Sequence, residues 1–242
     1  MRPALRDTAS ERVQTRGTQT ASGQLDRRSK RTRRALRDAL AAEIEEAGDL
    51  SQVTVTAVSD RAGVTRRTFY SHFKDIPDLV NAIEDETVAD LRPLVEHLAC
   101  SSLDQLEDAI SHFRPCPGSV EILTYFAERP YLRPLLGEGG DPAFSQRVKR
   151  MARETVQDRA LDGLDVRAIP FFDYYLTFAI SAEVGVLERW LATGMEESVP
   201  VMARLMTALM FVRPGDLYGK SLEFDVNAIC LDMLDMKETD HD

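Results

Sequence analysis

Residues 54–74 read TVTAVSDRAGVTRRTFYSHFK, and their spacing predicts two short helices joined by a tight turn. Val55, Val58 and Ala62 recur at three- and four-residue intervals, which marks the buried face of a first helix. Gly63 follows at once, where a chain leaving a helix commonly needs the left-handed conformation that glycine adopts at little cost. Thr65 is placed to cap a second helix by accepting a hydrogen bond from a backbone N–H two or three residues on. Phe69 and Phe73, four apart, form the inward face of that second helix. Arg66, Arg67, Thr68, Tyr70, Ser71 and His72 are left on its outward or flanking faces, and such side chains donate hydrogen bonds to phosphates and base edges. A short cationic helix set across a glycine turn is the helix-turn-helix arrangement, whose second helix lies in a major groove.

The match extends beyond the turn. The stretch resembles the DNA-binding domain of the tetracycline-repressor (TetR) family, whose signature is a T-V-x-x-I-A-x-x-A-G-V-S-x-x-T-x-Y-x-H-F-like run. Thr54, Val55, Val58, Ala62, Gly63, Val64, Thr65, Thr68, Phe69, Tyr70, His72, Phe73 and Leu79 stand where that pattern wants them. Three positions depart from it: Val58 for the usual isoleucine, Ser59 for alanine, and Ile76 where the family usually carries a phosphate-contacting lysine. Lys74, two residues before Ile76, is the nearest replacement for that contact. The resemblance implies duplex DNA as the partner.

At 242 residues the chain is long enough to bury a sizeable core, and 43% hydrophobic with 29% charged residues is the composition of a globular protein. The net charge of −10 is unevenly divided. Residues 1–74 hold 15 Lys and Arg against 9 Asp and Glu, a balance of +6, whereas residues 75–242 hold 15 against 31, a balance of −16. An acidic remainder is repelled by a polyanion, so contact with DNA is expected at the basic end alone. No apolar run is long enough to span a bilayer, and the polar, Arg-rich start lacks the apolar core of a secretory signal. Three widely spaced cysteines do not make a disulfide framework. A cytoplasmic protein is expected.

Residues 1–26 are rich in Ser, Thr, Gln, Arg and Ala without apolar periodicity and read as a disordered arm. The run RRSKRTRR (27–34) follows, and its Arg28, Lys30 and Arg31 are candidates to touch phosphate or reach a minor groove. Leu36, Leu40 and Ile44 predict a first helix from about Thr32 to Ala47, ended by Gly48 and completing a three-helix domain over 27–75. With Arg28, Lys30 and Arg31, the candidate DNA contacts are Thr54, Thr65, Arg66, Arg67, Thr68, Tyr70, His72 and Lys74.

Residues 76–242 read as a larger helical domain. Leu79, Val80, Ile83, Val88, Leu91 and Val95 mark a long helix that Pro93 should kink or end. Further helices are predicted around 103–110, 120–126, 142–160, 171–191 and 198–211, and only LEFDV (222–226) hints at a strand. The predicted class is all-α. The segment 171–212 also resembles the C-terminal domains of many TetR-family proteins, where a long helix ends in a pattern like R-W-L-x-x-G-x-x-x-S-P. Arg189, Trp190, Leu191, Gly194, Ser198 and Pro200 stand in similar places, with one extra residue between Ser and Pro. In the family these last two helices pair with their copies as a four-helix bundle, which makes Glu183, Leu187, Trp190, Leu205 and Leu209 candidates for a homodimer interface. Glu183 reads equally as a pocket carboxylate.

The resemblance further implies a small-molecule effector pocket between the middle helices. By residue type, Phe113, Tyr125, Phe126, Tyr174, Tyr175 and Phe178 are its candidate lining, although core packing is the plainer reading of each taken singly. His97 with Cys100, and His112 with Cys116, have the spacing of paired metal ligands, but two pairs must converge to make a site, and no metal or other cofactor is expected. Cys116, between two prolines, reads as an exposed redox thiol, and Cys230 as core. No nucleophile–base pair, phosphate loop or catalytic carboxylate pair stands out, so no enzyme is expected. The reading that emerges is a homodimeric transcriptional repressor that binds a palindromic operator and is released by a small molecule. Its rivals are a regulator whose acidic domain docks a protein partner, and a metal- or thiol-dependent helical enzyme.

Overall fold

The computed structural model describes residues 9–158 and 172–211, without the side chains of 9–25, Leu103 and Phe211. Every α-helix or strand assigned among these residues is helical, as the periodicity predicts. The strand-like LEFDV and Cys230 lie outside the described residues. The chain divides into two compact units, Met1–Ile83 and Glu84–Asp242. Leu79, Val80 and Ile83 are buried and fall in the first unit, which therefore reaches past the boundary at 75 expected from the motif.

In the first unit, α1 (Ala9–Ala47) packs on a 3₁₀ turn (Leu50–Gln52) and on α2 (Val55–Arg61), and α2 packs on α3 (Arg66–Tyr70). Leu36, Leu40 and Ile44 of α1 are buried together with Val53, Val58, Phe69 and Phe73. The backbone of α1 is helical from Ala9, not from the Thr32 start that apolar spacing predicts, and not an arm without structure up to residue 26. Gln24, Leu25, Arg27, Arg28, Lys30 and Arg31 are all good helix formers, so nothing there stops the helix from propagating past its buried part. The guanidinium of Arg61 on α2 forks across Glu43 and Glu46 of α1, a second tie beside the apolar one.

Ser59 of α2 is fully buried and its hydroxyl has no hydrogen-bond partner among the described residues. A buried hydroxyl without a partner carries a desolvation cost that an apolar group avoids. Ser59→Ala is expected to raise the stability of the first unit by about 1 kcal/mol, read by urea denaturation; an unchanged or lowered midpoint would show that the hydroxyl is satisfied in solution.

The long helix α4 (Ile76–Ala99) continues through Pro93 instead of ending there. The pyrrolidine nitrogen withholds one hydrogen bond from the carbonyl of Ala89, and the rest of the helix outweighs that loss. Six helices follow: α5 (Leu103–Ser111), α6 (Ser119–Ala127), α7 (Leu132–Leu136), α8 (Pro142–Gln157), α9 (Phe172–Ala192) and α10 (Val199–Phe211). The five-residue α7 is not signalled by periodicity, because Pro134 sits inside it. Within the second unit α10 packs on α5, α6 and α9, and α8 and α7 cover α9. The core holds Leu123, Phe126, Leu132, Leu135, Phe144, Met151, Leu187, Trp190 and Met202. Across it, Arg147 of α8 donates to the Glu84 carboxylate at 2.7 Å and also engages Asp85.

Candidate nucleic-acid interface

The turn between α2 and α3 forms as the residues dictate. Thr54 caps α2 by accepting from the Ala57 N–H at 3.2 Å. Gly63 takes φ +66, and no other described residue beyond its chain neighbours lies within 4 Å of where its Cβ would be, so the backbone conformation calls for glycine there. Thr65 caps α3 by accepting from the Thr68 N–H at 3.1 Å, and its hydroxyl also pairs with that of Thr68 at 3.0 Å. Phe69 and Phe73 stack at 6.0 Å between centroids on the buried side. Arg66, Arg67 and Tyr70 stand outward, Tyr70 with 58% of its surface exposed, and Lys74 is exposed one turn on.

The candidates therefore sort by what already occupies them. Arg66, Arg67, Tyr70 and Lys74 are exposed on one side of α3 and just beyond it. Thr54, Thr65 and Thr68 are committed to caps, so their hydroxyls position the helix first and reach a ligand second. His72 is half-buried, and burial with the nearby Arg33 charge holds its imidazole below the ordinary histidine range, so it is neutral at physiological pH. Ile76 is a core residue, which explains why a lysine is absent there.

The basic run lies on α1 as helix. At 100° per residue Arg27, Lys30, Arg31 and Arg34 share one face, opposite Leu36 and Leu40. Arg28 lies to the side, and Arg33 sits over the Phe73 ring at 5.8 Å. Lys30 is paired with Asp26 at 3.1 Å and Arg34 with Asp38 at 3.8 Å, both in the open. A helix about 10 Å across does not enter a minor groove about 6 Å wide. Of the two expectations for this run, phosphate contact by Lys30 and Arg31 is the one this placement favours.

In the second unit the six aromatic pocket candidates do not come together as one lining. Tyr125 and Phe126 are core residues of α6, Tyr125 donating to Asp90 at 3.2 Å beneath the Arg129 guanidinium. Phe113 follows α5 at φ 51 and is 80% exposed. Tyr174, Tyr175 and Phe178 lie on the outer face of α9, Tyr174 at 76% and Phe178 at 71% exposure. The interface candidates divide as well. Leu187 and Trp190 are buried within the chain, the Trp190 indole donating to the Glu197 carbonyl at 2.9 Å. Leu205 and Leu209 are exposed, in line with Val201 on α10. Glu183 is half-buried on α9, beside the buried Val184.

Cys116 is buried, not exposed, and its backbone N–H donates to the Thr207 hydroxyl at 2.9 Å. Burial pushes the thiol above the ordinary cysteine range, which removes it as a redox thiol. Among the described residues no three His, Cys, Asp or Glu converge on a possible metal site. His112 is held by Asp108, away from that chemistry. No helix among the described residues is long and apolar enough to cross a membrane.

Comparison with known proteins places both units in context. The profile described as bacterial regulatory proteins, tetR family, matches residues 37–83, and one described as transcriptional regulator C-terminal region matches residues 115–211. An uncharacterized HTH-type transcriptional regulator of Bacillus subtilis (strain 168), YxbF, is 28% identical over 86 residues, which are 36% of this chain and 22% of that protein. The chain thus spans under a quarter of this curated relative's length. The fatty acid degradation regulator FadR from Bacillus halodurans shares the fold at TM-score 0.52 and 13% identity, covering 74% of this chain and 94% of that one. A TetR transcriptional regulator from Streptococcus agalactiae 2603V superposes at TM-score 0.47 and 23% identity over 78% of this chain and 98% of its own. The two profiles together span more than half of the sequence, and the chain belongs to the tetR family of bacterial regulatory proteins.

Proposed function

We propose that this protein is a homodimeric transcriptional repressor that reads a palindromic operator with α3 and leaves it when a small molecule binds the second unit. The observation that carries the DNA-reading part is the outward set Arg66, Arg67 and Tyr70 on a helix anchored by buried Phe69 and Phe73. Arginine pairs bidentately with guanine O6 and N7, and tyrosine donates to phosphate. Arg67→Ala is expected to weaken operator binding by about 1–3 kcal/mol at matched salt and to relax specificity at one base position. Selection of bound duplexes from a random pool would supply the operator. Unchanged affinity would remove Arg67 from the interface, and recovery of sites without two-fold symmetry would count against a dimer.

Support for the dimer comes from α9 and α10. Val201, Leu205 and Leu209 line up at four-residue spacing on α10, and Tyr174, Tyr175, Phe178 and Ala182 are exposed on α9. Gly185 continues that face of α9, and its missing Cβ would meet nothing within 4 Å among the described residues. Glycine inside a helix costs about 1 kcal/mol against alanine. With no reason for it among the described residues, Gly185 suits the close approach of a second backbone. A symmetric pair would also present two copies of α3 to the two halves of a palindrome. Effector release then follows as a population shift, the ligand binding better to the form that DNA binds worse.

A further inference from the structure

We infer that Arg33 of α1 is a phosphate contact at the C-terminal edge of α3, gripping the duplex backbone beside the groove that α3 occupies. The assignment rests on the DNA-reading proposal above and adds to it a residue that lies outside the helix-turn-helix. Arg33 comes one turn ahead of Leu36, which is fully buried, so the packed part of α1 fixes its position. Its guanidinium lies over the Phe73 ring, 5.8 Å from the centroid, and the His72 ring flanks the same Phe73 at 6.3 Å. Phe73 is buried, whereas Arg33 is exposed. The cation is thus held where the chain leaves α3, a stretch on which Ser71 and Lys74 are also exposed.

Among the described residues no carboxylate pairs with Arg33, whereas Lys30 is paired with Asp26 and Arg34 with Asp38. The acids next along the chain from Phe73 are used locally, Asp75 accepting from the Asp78 N–H and Asp78 from the Lys74 N–H, each at 2.8 Å. Stacking on a ring engages the face of a guanidinium and leaves the N–H donors in its plane for an anion. It also narrows the rotamers of a long side chain, so less entropy is lost when the anion arrives. A helix about 10 Å across fills a major groove about 12 Å wide, and a sugar–phosphate strand rises on either side of it. A cation on the outward face of such a helix meets base edges, and one at its edge meets phosphate. Arg66 and Arg67 stand in the first position, Arg33 in the second.

The test uses the full chain and a duplex recovered by selection from a random pool, with affinity followed by fluorescence anisotropy from about 0.1 to 0.4 M salt. Arg33→Gln is expected to flatten the fall of log K with log salt by about 0.9 for each subunit bound, because one phosphate per subunit keeps its counterions. That slope corresponds to a loss of about eightfold per contact at 0.1 M relative to 1 M salt. Arg33→Lys keeps the charge and should keep most of the slope. The selected sequence should not change, since phosphate contacts position a protein without specifying bases. Arg34→Gln removes the same charge one residue on, from a side chain already paired with Asp38, and should change the slope less. Both arginines are exposed, so all three variants should melt with the parent. An unchanged slope in Arg33→Gln, equal flattening in Arg34→Gln, or an altered base preference overturns the assignment. Lost affinity with an unchanged slope and a lowered Tm also overturns it, and makes Arg33 a support for Phe73 instead. A parent that binds no duplex defeats the DNA-reading proposal and this assignment with it, whereas a parent that binds while Arg33→Gln keeps its slope defeats this assignment alone.

Discussion

Arg147→Ala is expected to destabilise the second unit by about 3 kcal/mol at pH 8, a loss typical of a buried ion pair deprived of one partner. The reason lies at Glu84, whose side chain is only 1% exposed, with Oε2 on the Arg147 guanidinium at 2.7 Å and Oε1 without a hydrogen-bond partner. Burial pushes this carboxyl above the ordinary range, Arg147 pulls it back, and Asp141 adds to the rise. Without Arg147, burial and Asp141 act unopposed. A raised value means that the folded state holds the proton more tightly than the unfolded chain does. The stability withheld by ionisation therefore grows as pH rises through the carboxylate range and beyond, and is returned as pH falls. The deficit of Arg147→Ala should shrink between pH 8 and pH 5, and Arg147→Ala with Glu84→Gln should recover most of it. Urea midpoints that fall equally at both pH values, or a double variant no better than the single one, would show that Arg147 matters by packing and not by charge.

The second large effect is expected at α10. Leu205→Glu with Leu209→Glu should convert a dimer into folded monomers, raising the dissociation constant at least a thousandfold, or about 4 kcal/mol. Two leucines per chain lose apolar burial at about 1.5–3 kcal/mol each, and four carboxylates must be desolvated if the contact still forms. Both positions are exposed in the single chain, so the fold should survive the change. Sedimentation at micromolar concentration decides it. A variant that remains dimeric places the contact elsewhere, and a parent protein that is already monomeric removes the dimer altogether.

How far the sequence could be read depended on how local the interaction was. Gly63, the Thr65 cap and the Phe69–Phe73 spacing are set within a few residues, and each of them formed as the spacing requires. The helices of the second unit were equally legible, apart from α7. What periodicity cannot supply is the owner of an apolar face. Trp190 and Leu205 both read as interface, yet one fills its own chain's core and the other is exposed. Tyr174 and Phe178 were chosen as pocket lining for their chemistry. They sit at the outer angle of the same helix whose inner angle carries Leu176, Val184 and Leu187. The Glu84–Arg147 pair bridges 63 positions of sequence with no local signal at either end. Continuation of α1 ahead of its buried stripe was missed because helix propensity without an apolar face leaves no periodic mark.

Trp190 has a use that follows from its place. It is the only tryptophan in the chain, it is 1% exposed, and its indole N–H is bonded to a carbonyl within the second unit. Tryptophan fluorescence therefore reports on that unit, since unfolding there frees the ring into water. Far-ultraviolet circular dichroism, by contrast, registers helices in both. If the two signals follow a single denaturation curve, the units melt as one cooperative body; if dichroism begins to fall first, the DNA-reading unit opens independently. Natural fluorescence can thus tell the two apart without a label.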